Sequence, residues 1–192
     1  MKINTTVFLF LSILFVTACQ VDRTIPPITE KNDYKIRGYK NLAPRNKLKM
    51  AKDEEPGERL VICGKLIWND DKRPLNNQLI HFYQTDQSGD YQQSNPDDEK
   101  TARLRGELIT NDLGMFYLET ILPGSYGSSD DNRHIHTTVF GANPEAYDLH
   151  FKQHTGYLGR KSVARNDQQF LIDLSRKGDG TLVGFVTMEI MQ

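Results

Sequence analysis

The sequence predicts an all-β fold, specifically an antiparallel β-sandwich, and three observations support this prediction. Short segments rich in β-branched, aromatic and other apolar residues recur from Arg59 onward. Turn-forming residues separate these segments at short intervals. No long stretch in this region has the spacing of an amphipathic helix. We therefore expect a single sandwich domain over residues 58–192.

The predicted strands alternate with polar turns such as NDDKRP (69–74) and DQSGDY (86–91). In chain order the strands are RLVICGKLIW (59–68), QLIHFYQ (78–84), two strands within ELITNDLGMFYLETI (107–121), HIHTTVF (134–140), YDLHF (147–151), QFLIDL (169–174) and TLVGFVTMEI (181–190).

The first 18 residues are expected to form a lipoprotein signal peptide. Lys2 precedes the apolar run VFLFLSILFV (7–16), which is too short to span a bilayer comfortably. The following VTAC resembles the lipobox of bacterial lipoproteins, in which the chain is cut before the cysteine and that cysteine is lipidated. This resemblance implies an extracytoplasmic protein held to a membrane by lipid on Cys19. An ordinary secretory signal or a single-pass anchor is the alternative.

Residues 19–57 are expected to form a polar tether between the membrane and the domain. They are rich in charged residues, contain four prolines and show no sustained hydrophobic periodicity. A short helix near residues 46–54 is the only regular element expected there.

Net charge and cysteine content argue against a nucleic-acid-binding protein and against a fold held together by disulfides. With 24 basic and 25 acidic residues the formal net charge is −1, so nothing indicates binding of nucleic acid. If Cys19 is lipidated, Cys63 has no cysteine to pair with, and its apolar neighbours predict a buried thiol. Nothing in the sequence indicates an oligomeric state.

The segment NRHIHTT (132–138) holds the most informative polar pattern. In a strand, His134 and His136 project from the same face, one pleat apart. Such a pair is either structural or part of a metal site. The cysteine count excludes a thiolate-rich zinc site, whereas a zinc site with a third histidine, one of His81, His150 and His154, stays open.

Four sequence blocks, taken in order, resemble the intradiol ring-cleavage dioxygenases. They are Tyr83-Gln84 followed by DQSGDY, the hairpin LRGELITNDLGMFYLETI leading into PGSY (123–126), the HIH strand, and YDLHF. Each block is weak alone, but their shared order is specific. The resemblance covers roughly residues 59–192 and implies a β-sandwich, in agreement with the strand pattern.

The resemblance implies one non-haem ferric ion held by Tyr91, Tyr126, His134 and His136. Phenolate oxygen is a hard anionic donor that suits a hard ferric ion, and a bound cation can deprotonate a tyrosine. The implied reaction cleaves a catechol with dioxygen between its two hydroxyl-bearing carbons and gives a muconate-type diacid. Tyr126 is the implied catalytic ligand, which leaves the iron and accepts a catechol proton.

Two positions depart from the family pattern. The family usually has an arginine where this chain has Asp131, and a glutamine where it has Asp148. We expect Asp148 and the nearby Arg133 to contact substrate. These departures also favour a second hypothesis, a non-catalytic binding module at the cell surface that keeps the fold and a metal.

Overall fold

The structure is a computed structural model that describes residues 22–127 and 131–192. The predicted signal peptide (1–18) and Cys19 lie outside the described residues. In the described part of the chain, no helix combines the length and the apolar character that crossing a membrane requires.

Within the described ranges the chain forms ten strands and two α-helices, with short 3₁₀ turns between some of them. The helices are α1 (Glu30–Lys40) and α2 (Tyr157–Val163). The strands are β1 (Lys47–Lys49), β2 (Arg59–Trp68), β3 (Leu79–Gln84), β4 (Leu104–Ile109), β5 (Met115–Ile121), β6 (His134–Val139), β7 (Ala146–Phe151), β8 (Gln169–Ile172), β9 (Leu174–Arg176) and β10 (Leu182–Ile190).

Two five-stranded sheets enclose the main core. The first sheet has the order β1-β5-β2-β10-β9 and the second has the order β4-β3-β6-β7-β8. Phe82 of β3 and Phe116 of β5 meet across the interior with ring centroids 5.3 Å apart. Both residues are fully buried, as are Ile135 and Leu149 of the second sheet. The arrangement is a two-layer β architecture, as the strand pattern predicts.

The prediction of a purely antiparallel sandwich is only partly correct, because both sheets are mixed. β2 and β10 pair in parallel along Leu182–Ile190, and β1–β5 and β7–β8 are also parallel. Residue alternation indicates which face a side chain takes but carries no information on pairing direction. Parallel neighbours need a long connection, and here α2 lies in the connection from β7 to β8.

The predicted strand QFLIDL (169–174) is also divided. β8 belongs to the second sheet and β9 to the first, so the chain crosses between layers at Asp173. The Asp173 carboxylate accepts hydrogen bonds from Lys152 and from Gln153 at this crossing. A continuous apolar run therefore contributes to both layers.

The region expected to be a tether is folded onto the domain from residue 22 onward. Helix α1 begins at the N-cap Thr29, whose side chain accepts a hydrogen bond from the Asn32 backbone N–H. Ile36 and Tyr39 of α1 are buried in a second cluster with β2, β5 and β10. Residues 47–49 form strand β1, so the short helix expected near residues 46–54 is absent from this described segment.

The covering helix accounts for the composition of β2. RLVICGKLIW is almost continuously buried because one face meets the main core and the other lies under α1. Cys63 is fully buried on the α1 side, as the sequence predicts. Helix α1 thus supplies a third layer, and β1 an edge strand of the first sheet, that local sequence patterns do not reveal.

Candidate metal centre

The outer face of the second sheet carries a cluster of aromatic and acidic side chains. His134 and His136 of β6 point to this face, since Ile135 between them is buried in the core. In register, Tyr83 of β3 lies opposite His136 on one side, and Asp148 of β7 lies opposite it on the other. The pairing of three strands therefore places these groups side by side.

Tyr91 enters the cluster from a loop that Asp86 organises. The Asp86 Oδ1 atom accepts hydrogen bonds from the Ser88 N–H, at 2.8 Å, and the Ser88 hydroxyl, at 2.6 Å. Its Oδ2 atom accepts a hydrogen bond from Gln92 Nε2 at 2.6 Å. This Asx-type turn follows β3 directly and turns the buried Tyr91 back over the sheet. The DQSGDY motif is therefore a local folding unit whose last residue reaches the site.

Tyr126 enters from a second loop, and glycines allow the two loops to touch. Gly89 has a φ of +87°, and a Cβ atom there would lie 2.1 Å from the Ser125 carbonyl oxygen. A Cβ atom on Gly124 would lie 2.3 Å from the Gly89 nitrogen. The Gly124 N–H donates to the Asp86 carbonyl at 2.7 Å. This close backbone approach requires glycine and fixes Tyr126 beside Tyr91, with ring centroids 5.5 Å apart.

The four side chains predicted as ligands lie together in the structure. Tyr91 Oη is 2.7 Å from His136 Nε2, and Tyr126 Oη is 3.1 Å from His134 Nε2. The two Nε2 atoms are 3.1 Å from each other. Residues separated by up to 45 positions in the chain thus present two phenol oxygens and two imidazole nitrogens to one small volume.

The other ring nitrogens fix the tautomer of both histidines. His134 Nδ1 lies 3.2 Å from the carbonyl oxygen of Asn132, and His136 Nδ1 lies 2.8 Å from Asp148 Oδ1. Carbonyl and carboxylate oxygens only accept hydrogen bonds, so each Nδ1 carries the proton and donates it. Both Nε2 atoms therefore keep a lone pair directed toward the phenol oxygens.

This donor set fits a bound metal ion. Ligand atoms about 2.1 Å from one ion lie roughly 3 Å from one another, which is the spacing measured here. The Nε2 atoms of His134 and His136 are 3.1 Å apart, and each carries a lone pair. These lone pairs repel each other unless a cation or a hydrogen-bonding proton lies beside them. Hydrogen bonding of each outer nitrogen is typical of metal-binding histidines.

Burial shifts the pKa values of two candidate ligands, His134 and Tyr91. Burial is the main cause that lowers the pKa of His134, and the neighbouring His136 lowers it further, so the imidazole stays neutral. Burial also raises the pKa of Tyr91 above its usual range, and a side-chain hydrogen bond with Tyr126 adds to this effect. The neutral imidazole is ready to bind a cation, whereas the Tyr91 phenol needs a nearby cation to ionise.

Two aromatic side chains flank the paired histidines, and the sequence predicted neither as an iron ligand, although His150 was one of the histidines considered for a zinc site. The Tyr83 ring stacks on His136 with centroids 4.6 Å apart, and the His150 ring stacks on His134 at 4.9 Å. Burial raises the pKa of Tyr83 to about 12, so this phenol stays neutral. Period-2 alternation along β3 and β7 was the available signal, but it required the strand pairing to be known.

Asp148 lies behind His136, on the far side of the ring from the phenol oxygens. One potential ligand atom each from His134, His136 and Asp148 lies within 4.8 Å of the others. The Asp148 carboxylate, however, binds Nδ1, and an ion at Nε2 is on the opposite edge of the ring. We therefore regard Asp148 as the group that orients His136, and its contact with substrate stays a prediction.

The remaining residues named by the sequence are distributed around the site. Arg133 directly precedes β6 and interacts electrostatically with His154. His154 ends the 3₁₀ turn that follows β7, and His81 binds the Lys100 carbonyl oxygen. Among the described residues, neither these two histidines nor His150 joins the potential metal-binding group, so a third histidine ligand for zinc gains no support.

Asp131 has an unexpected partner. Arg23, 108 residues earlier in the chain, donates from Nη1 to Oδ1 at 2.6 Å and from Nη2 to Oδ2 at 2.9 Å. This two-point ion pair holds the pKa of the Asp131 carboxyl below its usual value. The added negative charge at this position is therefore matched by a guanidinium from the N-terminal segment.

A β-sandwich that directs two tyrosines and two histidines to one point defines a class of metal-binding protein with mixed oxygen and nitrogen ligands. Comparison with known families narrows this class, because residues 34–154 match the family described as Dioxygenase (Dioxygenase_C). The match spans more than half of the chain, so this protein belongs to that dioxygenase family.

A curated relative and several solved structures agree with the family. The chain is 29% identical over 80 residues to catechol 1,2-dioxygenase of Acinetobacter baylyi, a match that covers 41% of this chain and 26% of the relative. The chain thus matches about a quarter of the length of that enzyme.

The fold resembles dioxygenases of known structure at low sequence identity. The dioxygenase domain of a dioxygenase–carbohydrate-binding fusion from Streptomyces sp. SirexAA-E has a TM-score of 0.57 at 22% identity, covering 78% of this chain and 92% of that chain. An intradiol ring-cleavage dioxygenase from Tetranychus urticae has a TM-score of 0.52 at 18% identity, with coverages of 74% and 85%. Catechol 1,2-dioxygenase from Acinetobacter sp. ADP1 has a TM-score of 0.55 at 16% identity, with coverages of 77% and 57%.

Proposed function

We propose that this protein is an iron(III)-dependent intradiol dioxygenase that cleaves a catechol ring between its two hydroxyl-bearing carbons. The observation that carries the proposal is the meeting of Tyr91, Tyr126, His134 and His136, whose donor atoms make contacts of 2.7 to 3.1 Å. Membership of the dioxygenase family supports the reaction class. The curated relative is a catechol 1,2-dioxygenase, which supports a catechol as the substrate class.

The donor set suits ferric iron better than a soft metal. Two phenol oxygens become hard anionic ligands when they ionise, and the two neutral imidazoles add no charge. Ferric iron, when bound, would hold a catecholate by its oxygens and make it reactive toward dioxygen. Asp148 would hold His136 in the tautomer that such an ion needs, and the Asn132 carbonyl would do the same for His134.

The two tyrosines have different roles in this proposal. Tyr91 is buried and makes the shorter contact, 2.7 Å to His136, so it stays in place throughout. Tyr126 is partly exposed and makes the longer contact, 3.1 Å to His134. Its phenolate is the group that yields its place to substrate and accepts a catechol hydroxyl proton.

The overall reaction balances without an external reductant. One catechol and one dioxygen give one cis,cis-muconate-type diacid, with both oxygen atoms in the product. The bond between the two hydroxyl-bearing carbons breaks, and each of these carbons becomes a carboxyl group. The protein supplies the binding site and the proton acceptor at Tyr126 Oη.

Iron loading and oxygen consumption test the proposal directly. The iron-loaded protein should be coloured, since tyrosinate-to-iron charge transfer absorbs visible light, and it should consume oxygen with a catechol. Tyr126→Phe and His134→Ala should lose this activity, while Tyr157→Phe, at a tyrosine on α2 and 49% exposed, should keep it. Protein that stays colourless after iron loading without denaturation would contradict the iron site. Colour without oxygen consumption across a catechol panel would support the non-catalytic binding module.

The proposed location is extracytoplasmic, with lipid on Cys19 holding the protein to a membrane. The signal-like sequence MKINTTVFLFLSILFVTAC supports this proposal. Mass spectrometry of the mature N-terminus should detect an acylated Cys19. Cys19→Ser should move the protein from the membrane fraction to the soluble fraction, and an unprocessed or unacylated native chain would contradict the anchor.

A further inference from the structure

The N-terminal segment, residues 22–28, is attached to the domain close to the metal centre. We call this segment the N-terminal strap. The Asp22 carbonyl accepts a hydrogen bond from Arg160 Nη2 at 2.9 Å, and the Pro26 carbonyl accepts one from the Arg176 N–H at 2.8 Å. The Ile28 N–H donates to the Arg176 carbonyl at 2.9 Å. The strap is therefore fixed at one end by the Arg160 side chain and at the other by the Arg176 backbone.

Arg23 is the side chain through which the strap contacts Asp131, in the segment that leads into β6. Its guanidinium binds both oxygens of Asp131 and also donates to the Gln153 carbonyl at 3.3 Å. Gln153 is buried, so its carbonyl gives the Arg23 guanidinium a fixed contact with the interior of the domain. A two-point Arg–carboxylate pair fixes orientation as well as distance.

Asp131 is held from its other side as well. A Cβ atom built on Gly156, which precedes α2, would lie 2.7 Å from Asp131 Oδ2. The carboxylate is thus enclosed between Arg23 and the start of α2, and its side chain is only 30% exposed. This enclosure fixes the backbone that enters β6.

The next residue connects Asp131 to two of the four candidate ligands. The Asn132 N–H donates to Ser125 Oγ at 3.0 Å, and Ser125 directly precedes Tyr126. The Asn132 carbonyl accepts a hydrogen bond from His134 Nδ1 at 3.2 Å. Asn132 therefore sets the tautomer of His134 and ties the Tyr126 loop to the histidine strand.

From these contacts we infer that Arg23 is a positioning residue of the metal centre, acting through Asp131 and Asn132 on His134 and Tyr126. The inference rests on the proposed iron site. If Arg23 has this role, the N-terminal strap helps to hold two of the four candidate ligands in place. Tyr91 and His136 have direct supports of their own, the turn at Asp86 and the Asp148 carboxylate.

The test compares iron binding by the full chain and its variants. Arg23→Ala and Asp131→Asn should each weaken iron affinity about tenfold, the low end of the loss caused by removing an outer group that supports a metal ligand. Their effects should not add, because both break the same pair. The exchanged pair Arg23→Asp with Asp131→Arg should recover at least half of the lost binding free energy. The readouts are chelator competition and the visible absorption band.

Arg37→Ala is the matched control. Arg37 lies on α1, is 73% exposed and pairs with Asp33 at 3.6 Å, away from the metal centre. It should leave iron affinity and the visible band unchanged. Equal losses in the Arg23 and Arg37 variants, or wild-type affinity and spectrum in Arg23→Ala, would overturn the inference. A melting temperature for each variant shows whether a loss reflects unfolding, and recovery by the exchanged pair excludes that explanation.

Hydrogen exchange separates this inference from the proposed function. In the native structure the Asn132 N–H donates a hydrogen bond to Ser125 Oγ. In the metal-free protein, Arg23→Ala should loosen this contact and accelerate hydrogen exchange of the Asn132 amide. Unchanged exchange would overturn the inference whether or not iron binds. Accelerated exchange in Arg23→Ala, combined with a wild-type chain that fails to bind iron, would instead retain the strap as the support of the loop and refute the iron site.

Discussion

His136 Nδ1 lies 2.8 Å from Asp148 Oδ1 across the pair β6–β7. The carboxylate fixes the proton on Nδ1 and leaves Nε2 free to face Tyr91. Burial by itself would raise the pKa of Asp148, but the hydrogen bond from His136 and the electrostatic influence of the neighbouring histidines lower it. Asp148 therefore remains ionised and orients a candidate metal ligand.

Asp148→Asn should weaken iron binding about 10- to 100-fold, the usual loss when the outer partner of a metal-binding histidine is removed. The amide keeps the size of the side chain but loses the charge that supports the His136 tautomer. Chelator competition measures the change. Glu107→Gln is the control, since Glu107 lies 3.4 Å from His81, which is not among the four candidate ligands. Equal affinities in both variants would show that Asp148 does not support the site.

Tyr91→Phe should remove one of two phenolate donors. We expect iron affinity to fall by more than about 100-fold, beyond the loss that follows removal of an outer-shell partner. Any remaining visible absorption should come from Tyr126 alone. Tyr39→Phe is the matched control, because Tyr39 is also buried but belongs to α1, in the other cluster. Titration with ferric iron followed by absorption decides the outcome, and an unchanged spectrum in Tyr91→Phe would rule out this ligand.

Gly89→Ala should separate the two loops that carry the tyrosines. The new Cβ atom would lie 2.1 Å from the Ser125 carbonyl oxygen at a φ of +87°. We expect a loss of about 2 to 4 kcal/mol in the free energy of unfolding, from left-handed strain together with overpacking. Iron binding should weaken as well.

Gly127→Ala is the control for the strain alone. Gly127 has a φ of +76°, but a Cβ atom there would meet nothing within 4 Å among the described residues. We expect a loss of about 1 to 2 kcal/mol. Urea denaturation measures the free energy of unfolding of the two variants. Equal losses would show that the close approach of the two loops does not require glycine at position 89.

Cys63 should be unreactive in the native protein. Burial raises its pKa to about 12, and the side chain is fully buried beneath α1. At pH 8 the thiolate fraction should be on the order of 1,000-fold below that of an exposed cysteine. A thiol reagent applied to a Cys19→Ser chain, in which Cys63 is the sole cysteine, measures this. Reaction should become fast in urea, and fast labelling of the folded chain would contradict the buried environment.

The sequence alone determined the β character of residues 59–190 and the positions of most strands. The observed bounds of β2 match the predicted segment, Arg59–Trp68. Alternation along HIHTTVF was enough to place His134 and His136 on one face, because this property depends only on neighbouring residues. The motif order indicated Tyr91 and Tyr126 as their partners, and the four side chains do lie together.

Only the tertiary structure decided the rest. The parallel pairs, the packing of α1, the contact of Asp148 with His136 and the pairing of Arg23 with Asp131 all join segments whose approach no local pattern encodes. Arg23 and Asp131 lie 108 residues apart, and Arg23 belongs to the segment that composition marks as a polar tether. Local periodicity fixes which face a side chain takes, whereas its neighbours across the fold follow from how the whole chain buries its apolar surface.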